Sequence, residues 1–185
     1  MNFSRIGFDN PELEGPRIVL RPPEMVAWKE WATLRMASRE FLAPWEPTWS
    51  PKALSRAHFR RYLRTQHRAS QAGKSMPYFV YRRDDEKFIG SITIGNIQRG
   101  VSQKCSVGYW IGSAYSRSGF MTESLNCILS HCIYSLGLNR VEAACMPANS
   151  ASRALLNQCG FKCEGYARKL FEINAYHMQV EHRKV

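Results

Sequence analysis

Apolar and polar positions alternate at two periods along this chain, and the changes of period mark out its elements. Arg17-Ile-Val-Leu-Arg21 is a short strand-like run stopped by Pro22-Pro23. Met25, Trp28, Ala32 and Met36 then recur at spacings of three and four, which predicts one face of a helix. Two prolines interrupt the segment from Phe41 to Trp49 and predict an aromatic loop. Ser50-Pro51 opens a second helix, with Leu54, His58 and Tyr62 turned inward, fading by Gly73.

From Tyr78 the period shortens to two. Tyr78 to Tyr81, the Asp84-Asp85 turn and Phe88 to Ile94 predict a hairpin. A second hairpin leads to Cys105, Val107, Tyr109 and Ile111, which alternate with Ser106, Gly108 and Trp110. Helical spacing returns in Met121, Leu125, Ile128, Leu129, Cys132 and Leu136, and Gly137 stands where a left-handed cap belongs. Arg140 to Cys145 reads as a strand. Asn149 and Ser150 suit the N-cap of a helix running to Gln158 and closed by Gly160, and Phe161 to Ile173 reads as the last strand. The order β-α-α-β-β-β-α-β-α-β, without repeat or linker, predicts one α+β domain over 1–185, built on a mixed, mostly antiparallel sheet.

Composition agrees with that picture: 185 residues, 44% apolar and 22% charged, suit a single self-folding domain. No apolar run approaches a membrane span, and Met1 to Gly15 holds acids and a proline where a signal peptide needs an apolar stretch, so a cytoplasmic protein is expected. The six cysteines form no Cys-x-x-Cys pair and read as reduced thiols, with no metal site.

Charge changes the picture more. The formal net charge is +11, and no acid occurs between Pro47 and Arg83. Arg56, Arg60 and Arg64 follow one another at helical i, i+4 spacing, giving a basic helix face. Such a face is either simply solvated or meets an anionic partner such as ribosomal RNA or an acidic protein.

Candidate chemistry lies between Tyr109 and Glu123, where a strand, a loop of small residues and a helix start follow one another. First-turn helix amides lack internal partners and the helix dipole favours negative charge, so phosphates can be held by backbone alone. Gly119 permits close approach. By itself this is equally an ordinary connection. His58 and His131 read as packing or surface histidines, and Cys145 as a core residue at a strand end. Trp45 and Trp49 either clamp an acceptor or plug the end of the core.

Four separated segments in order give the chain a family resemblance: Tyr109-Trp-Ile-Gly with Gly119-Phe-Met-Thr-Glu123; Gly137-Leu-Asn-Arg-Val-Glu-Ala-Ala-Cys-Met-Pro-Ala-Asn149; Ser152; and Cys159-Gly-Phe161 with Glu164-Gly-Tyr166. From about Arg17 to Ile173 it resembles the GNAT acetyltransferases, and within them the ribosomal-protein-alanine N-acetyltransferases of the RimJ and RimL type; Pro44-Trp-Glu-Pro47 looks most like the RimJ branch. The resemblance implies the GNAT acyl-CoA N-acyltransferase fold, its sheet splayed into a V between the strands ending near Ile111 and Cys145. It also implies acetyl-CoA as donor, an amine as acceptor, and direct transfer in a ternary complex without metal or acetyl-enzyme.

By the same resemblance the diphosphate lies on Ser116 to Met121, read by backbone from Arg117, Ser118, Gly119, Phe120, Met121 and Thr122, with Arg117 adding charge. The family's loop usually has a long polar residue where this chain has Ser116 and a small one where it has Met121. Trp110 and Ile111 would pair with the pantetheine arm, one amide facing the thioester oxygen, and Asn149 would hold the arm. Many members protonate the thiolate with a tyrosine where this chain has Leu156; Ser152 matches the serine of the RimL branch instead. The RimL-type glutamate on the last long strand corresponds to Phe171, with Glu172 on the opposite face. Glu142 and Glu46 remain as alternative bases.

The acceptor expected from the resemblance is the N-terminal α-amine of a protein, a ribosomal protein above all. Deprotonation at neutral pH costs about 1 kcal/mol for an α-amine and roughly 4–5 kcal/mol for lysine, so a site without an obvious strong base suits the former. The rivals are a polyamine or aminoglycoside acetyltransferase, which the charge of +11 opposes, and a basic binding module that has lost its base. After Asn174 the sequence departs from the family, and an altered or short final strand is expected.

Overall fold

The computed structural model describes residues 7–173 and 176–184 by backbone and 7–167 by side chain. A two-residue strand β1 (Leu13–Glu14) precedes β2 (Ile18–Arg21), and a 3-10 turn leads into α1 (Trp28–Ala37), α2 (Arg39–Leu42) and α3 (Arg56–Gln71). The strands β3 (Met76–Arg82), β4 (Phe88–Gln98) and β5 (Lys104–Ile111) follow as an antiparallel meander. Then come α4 (Phe120–Ser130), β6 (Arg140–Cys145), α5 (Ser150–Gln158), β7 (Lys162–Ile173) and β8 (Tyr176–Lys184). Among the described residues these strands form one sheet in the order β1-β2-β3-β4-β5-β6-β8-β7, antiparallel at every junction except β5–β6.

Two cores cover the two faces. Ile18, Leu20, Tyr78, Val80, Ile92, Ile94 and Val107 pack with Leu125, Ile128 and Leu129 of α4 and Leu156 of α5. On the other face Trp31 of α1, Phe59 and Leu63 of α3, and Phe79 and Phe88 form an aromatic core. A β-bulge between β3 and β4, where the register shifts at Val80 and Tyr81, lets β4 serve both. It puts Phe88 among the aromatics while Ile89, Ile92 and Ile94 face α4. Gly90 sits at that shift because a Cβ there would lie 2.5 Å from the Trp110 carbonyl oxygen.

The periodicities hold with particular corrections. Met36, expected on the buried face of the first helix, is exposed, and Trp31 fills the core instead. The Phe41 segment begins as helix, through α2 and the 3-10 turn Ala43–Trp45, before it becomes a loop. The basic helix starts later than Ser50-Pro51, at Arg56, capped by the Ser55 hydroxyl accepting from His58 N–H. Its buried residues are Phe59 and Leu63, while His58 and Tyr62 are half-buried. After Ser130 the helix continues as a wide π turn, His131–Ser135, with Leu136 N–H donating to the His131 carbonyl at 2.9 Å.

The chain after Asn174 departs from expectation: β8 is nine residues long and lies between β6 and β7. Its polar sequence, Tyr-His-Met-Gln-Val-Glu-His-Arg-Lys, hid it from a reading based on apolar alternation. Among the described residues no helix is long and apolar enough to cross a membrane.

Candidate functional site

The site begins with a sheet that comes apart. β5 and β6 pair in parallel only from Lys104↔Arg140 to Val107↔Ala143. β5 continues beside β4 as far as Ile111, so Gly108 to Ile111 leave the β6 ladder while keeping β4. Gly112 N–H donates to the Ile89 carbonyl at 2.9 Å and continues the β4 ladder. By alternation the backbone of Trp110 also faces β4, whereas Tyr109 and Ile111 turn their N–H and C=O groups toward the opening. Of the two residues expected to offer backbone there, Ile111 faces the opening, whereas Trp110 faces β4 and its neighbour Tyr109 faces the opening. The Trp110 indole instead packs on the aromatic core, edge to face with Phe88 at 5.7 Å.

From this edge the chain runs through a 3-10 turn, Ser113–Tyr115, anchored where Ser113 N–H donates to the buried Ser38 hydroxyl at 2.9 Å. Arg117 adopts φ of 59°, and Gly119, the N-cap of α4, has φ of 82°, a left-handed conformation that favours glycine. Gly119 itself has no side chain with which to cap this terminus. Glu123 N–H makes the first intrahelical bond, to Gly119, so the amides of Phe120, Met121 and Thr122 point outward with a positive dipole behind them. Met121 is buried in the main core, and its contribution at the terminus is its amide. Ser116 and Ser118 donate their hydroxyls to carbonyls of their own loop, while Arg117 is exposed. This cradle fits a diphosphate, and the open edge of β5 beside it fits an extended arm bearing amides.

Arg17 is a further part of the cradle, one that periodicity had assigned only to a strand end. Its N–H and its Nε both donate to the Glu123 carboxylate, at 2.6 and 3.0 Å, and its Nη1 donates to the Ser118 carbonyl at 3.2 Å. The guanidinium also lies 4.8 Å from the Phe120 ring centroid. It offsets a carboxylate that would otherwise oppose an anion at this terminus.

Across the opening, α5 starts at Asn149, whose Oδ1 accepts from Ser152 N–H at 3.0 Å. That cap fixes Ser152 in the first turn, and its hydroxyl is 2.8 Å from the Tyr109 hydroxyl. Leu156 is fully buried in the main core. Burial pushes the Cys159 thiol up to about 11, which makes it a poor nucleophile. Cys145 is buried in the main core.

The two candidate glutamates are both engaged elsewhere. Glu46 forms an ion pair with Arg35 and accepts from Trp49 Nε1 at 2.8 Å. Arg35 itself lies 5.4, 4.6 and 4.8 Å from the rings of Trp31, Trp49 and Trp110, which makes the aromatic loop a cage around one cation. Trp45 is half-buried beside it in the 3-10 turn. Glu142 stands opposite Ser106, one rung short of where β5 and β6 part, and pairs with Arg140 at 2.5 Å and Lys104 at 3.4 Å. Burial tends to raise its pKa, but those two cations together hold it below the ordinary carboxylate value. A base weakened by two cations is poorly suited to the proton transfer expected of it. Phe171 and Glu172 lie in β7 by backbone, and their side chains fall outside the described residues.

Comparison with known proteins agrees with this geometry. Residues 17–162 match the family model described as an acetyltransferase (GNAT) domain. The ribosomal protein uS5 alanine N-acetyltransferase of Escherichia coli is 29% identical over 142 residues, covering 77% of this chain and 73% of that protein. The structure of Mycobacterium smegmatis RimJ in complex with CoA-disulfide superposes with a TM-score of 0.87 at 27% identity, over 95% of this chain and 85% of that one. A ribosomal-protein-S5-alanine acetyltransferase from Vibrio fischeri gives 0.86 at 25% identity, over 95% and 96%.

Proposed function

Because the chain belongs to the GNAT acetyltransferase family, whose members are acetyl-CoA-dependent enzymes, we propose that it acetylates the N-terminal α-amine of a protein, and of a ribosomal protein in particular, by direct transfer in a ternary complex. The observation that carries this reading is the opening between β5 and β6, with the Ser152 hydroxyl on its far side and both candidate carboxylates already paired. An acceptor that sheds its proton cheaply suits such a site, and an α-amine does so for about 1 kcal/mol at neutral pH. The relatives named above act on the alanine of a ribosomal protein, which supports the same acceptor class.

When bound, acetyl-CoA supplies an acetyl group activated as a thioester. The chain's own residues bind and orient it: the amides of Phe120, Met121 and Thr122 hold the diphosphate, Arg117 adds charge, and Tyr109 and Ile111 pair with the pantetheine arm. Ile111 N–H stabilises the developing oxyanion. Asn149 offers its Nδ2 to the arm while its Oδ1 caps α5. Ser152 protonates the departing thiolate, and Trp45 and Trp49 border the acceptor. On α3, exposed Arg56 and Arg64 with half-buried Arg60 face an anionic partner, ribosomal RNA.

The test is calorimetric titration with acetyl-CoA and desulfo-CoA, followed by turnover on an alanine-starting peptide, the same peptide N-terminally blocked but carrying lysine, and spermidine. The reading expects micromolar binding of both coenzymes and turnover of the free N-terminus alone. Preferred turnover of spermidine or lysine would replace the acceptor assignment, and no binding at millimolar coenzyme would remove the function.

A further inference from the structure

Tyr109 and Ser152 come from distant parts of the chain, one on β5 just past the end of the β6 ladder and one in the first turn of α5, and their hydroxyl oxygens lie 2.8 Å apart. The contact is part-buried, and each partner is held by something else. Ser152 is fixed by the Asn149 cap, and the Tyr109 side chain packs against the main core. Leu156, fully buried one turn further along α5, puts a hydrocarbon where the resemblance places a phenol.

We propose that Tyr109 is a positioning residue that supplies Ser152 with the proton delivered to the departing thiolate. The inference rests on the acetyl-transfer reading above and deepens it. An aliphatic alcohol is a very weak acid, and an alkoxide left on Ser152 would be strongly disfavoured. A phenol and a thiol differ by only about 1.5 pH units in ordinary acidity, so a phenolate at the far end of the relay is a far smaller penalty. Geometry first and acidity second is the order in which a general acid is judged, and the pair satisfies both.

The step balances. The amine nitrogen attacks the thioester carbon and forms the N–C bond; the C–S bond then breaks with its electron pair on sulfur. Sulfur takes the Ser152 Oγ proton as Ser152 takes the Tyr109 hydroxyl proton. The amide nitrogen releases its surplus proton to water, and Tyr109 recovers one from water. No oxidant, metal or covalent enzyme intermediate takes part.

The experiment compares Tyr109→Phe, Ser152→Ala and the double variant, with acetyl-CoA affinity measured by calorimetry and kcat on an accepted amine. A relay predicts that Tyr109→Phe leaves coenzyme affinity within about twofold, lowers kcat by about ten- to a hundredfold, and has no further effect once Ser152 is alanine. Wild-type kcat in Tyr109→Phe, or losses that multiply in the double variant, would overturn it. Replacing Tyr109 by 3-fluorotyrosine keeps the shape and acidifies the phenol, so the basic limb of the kcat–pH profile should move to lower pH; an unmoved limb also overturns the relay. A wild-type protein that binds coenzyme and turns over while Tyr109→Phe is unchanged defeats the relay alone. A wild-type protein without coenzyme binding defeats the relay and the functional reading together.

Discussion

Arg35 lies among three indole rings with one carboxylate as its counter-ion, and that placement decides what Glu46 does. The side chains of Arg35 and Glu46 are only 13% and 21% exposed, so the pair lies between the surface and buried regimes. Replacing Glu46 by Gln keeps an oxygen for Trp49 and leaves Arg35 without its counter-charge. The expected cost is about 2 kcal/mol, between an exposed pair and a fully buried one, measured as a lower urea midpoint. Turnover of the folded protein should fall less than tenfold. A loss of a hundredfold at unchanged stability would instead make Glu46 the base. The contact between Tyr109 and Ser152 escaped the sequence because the two are 43 positions apart, and that between Arg17 and Glu123 because they are 106 apart. Local spacing carries no signal for either.

Helix α3 presents its arginines without a single acid between Arg56 and Gln71. Changing Arg56, Arg60 and Arg64 to Gln should leave turnover of a free peptide unchanged. It should weaken turnover of the same N-terminus presented on the ribosome, with a shallower dependence on salt. Equal loss on both acceptors would exclude a targeting role for the helix. At β6, Arg140 donates to Glu142 and, from Nη1 at 3.1 Å, to Glu164 of β7, bracing strands that flank β8. Glu142 has a folded-state pKa below its ordinary value of 4.5. Its contribution to stability is therefore present above pH 4.5 and lost as pH falls through the lower folded value. Acid denaturation of Glu142→Gln should be correspondingly less steep in that window, and an unchanged profile would show that the pair adds nothing.

Element by element, β2 through β6 and the caps at Asn149 and Gly137 follow from alternation and cap chemistry. β1 and β8 do not: one is two residues long, and the other is polar and ordered by its neighbours. The left-handed Gly119 turn into α4 was legible because it depends on a short local pattern. The facing of Trp110 was not, since the sheet's parting decides which amides are open.

As a whole the molecule is two blocks of sheet, β1 to β5 and β6 to β8, joined by a parallel ladder with four paired positions. On the proposed function, a coenzyme held by β5, the α4 terminus and α5 binds the folded state and not the unfolded one. Desulfo-CoA at about a hundred times its dissociation constant should stabilise the fold by about 2.7 kcal/mol. For a chain of this size that raises Tm by about 5–10 °C; no shift at saturation would contradict the cradle. The short ladder has a further consequence for the timing of backbone exposure. β5 and β6 are joined through α4, with no hairpin turn between them, so nothing local re-forms those four rungs once they break. In deuterium exchange the amides on the two sides of the seam should report separate opening free energies in the free protein. With coenzyme bound they should converge toward one, because a molecule that bridges the gap rivets two plates that otherwise share only four rungs and the core beneath them.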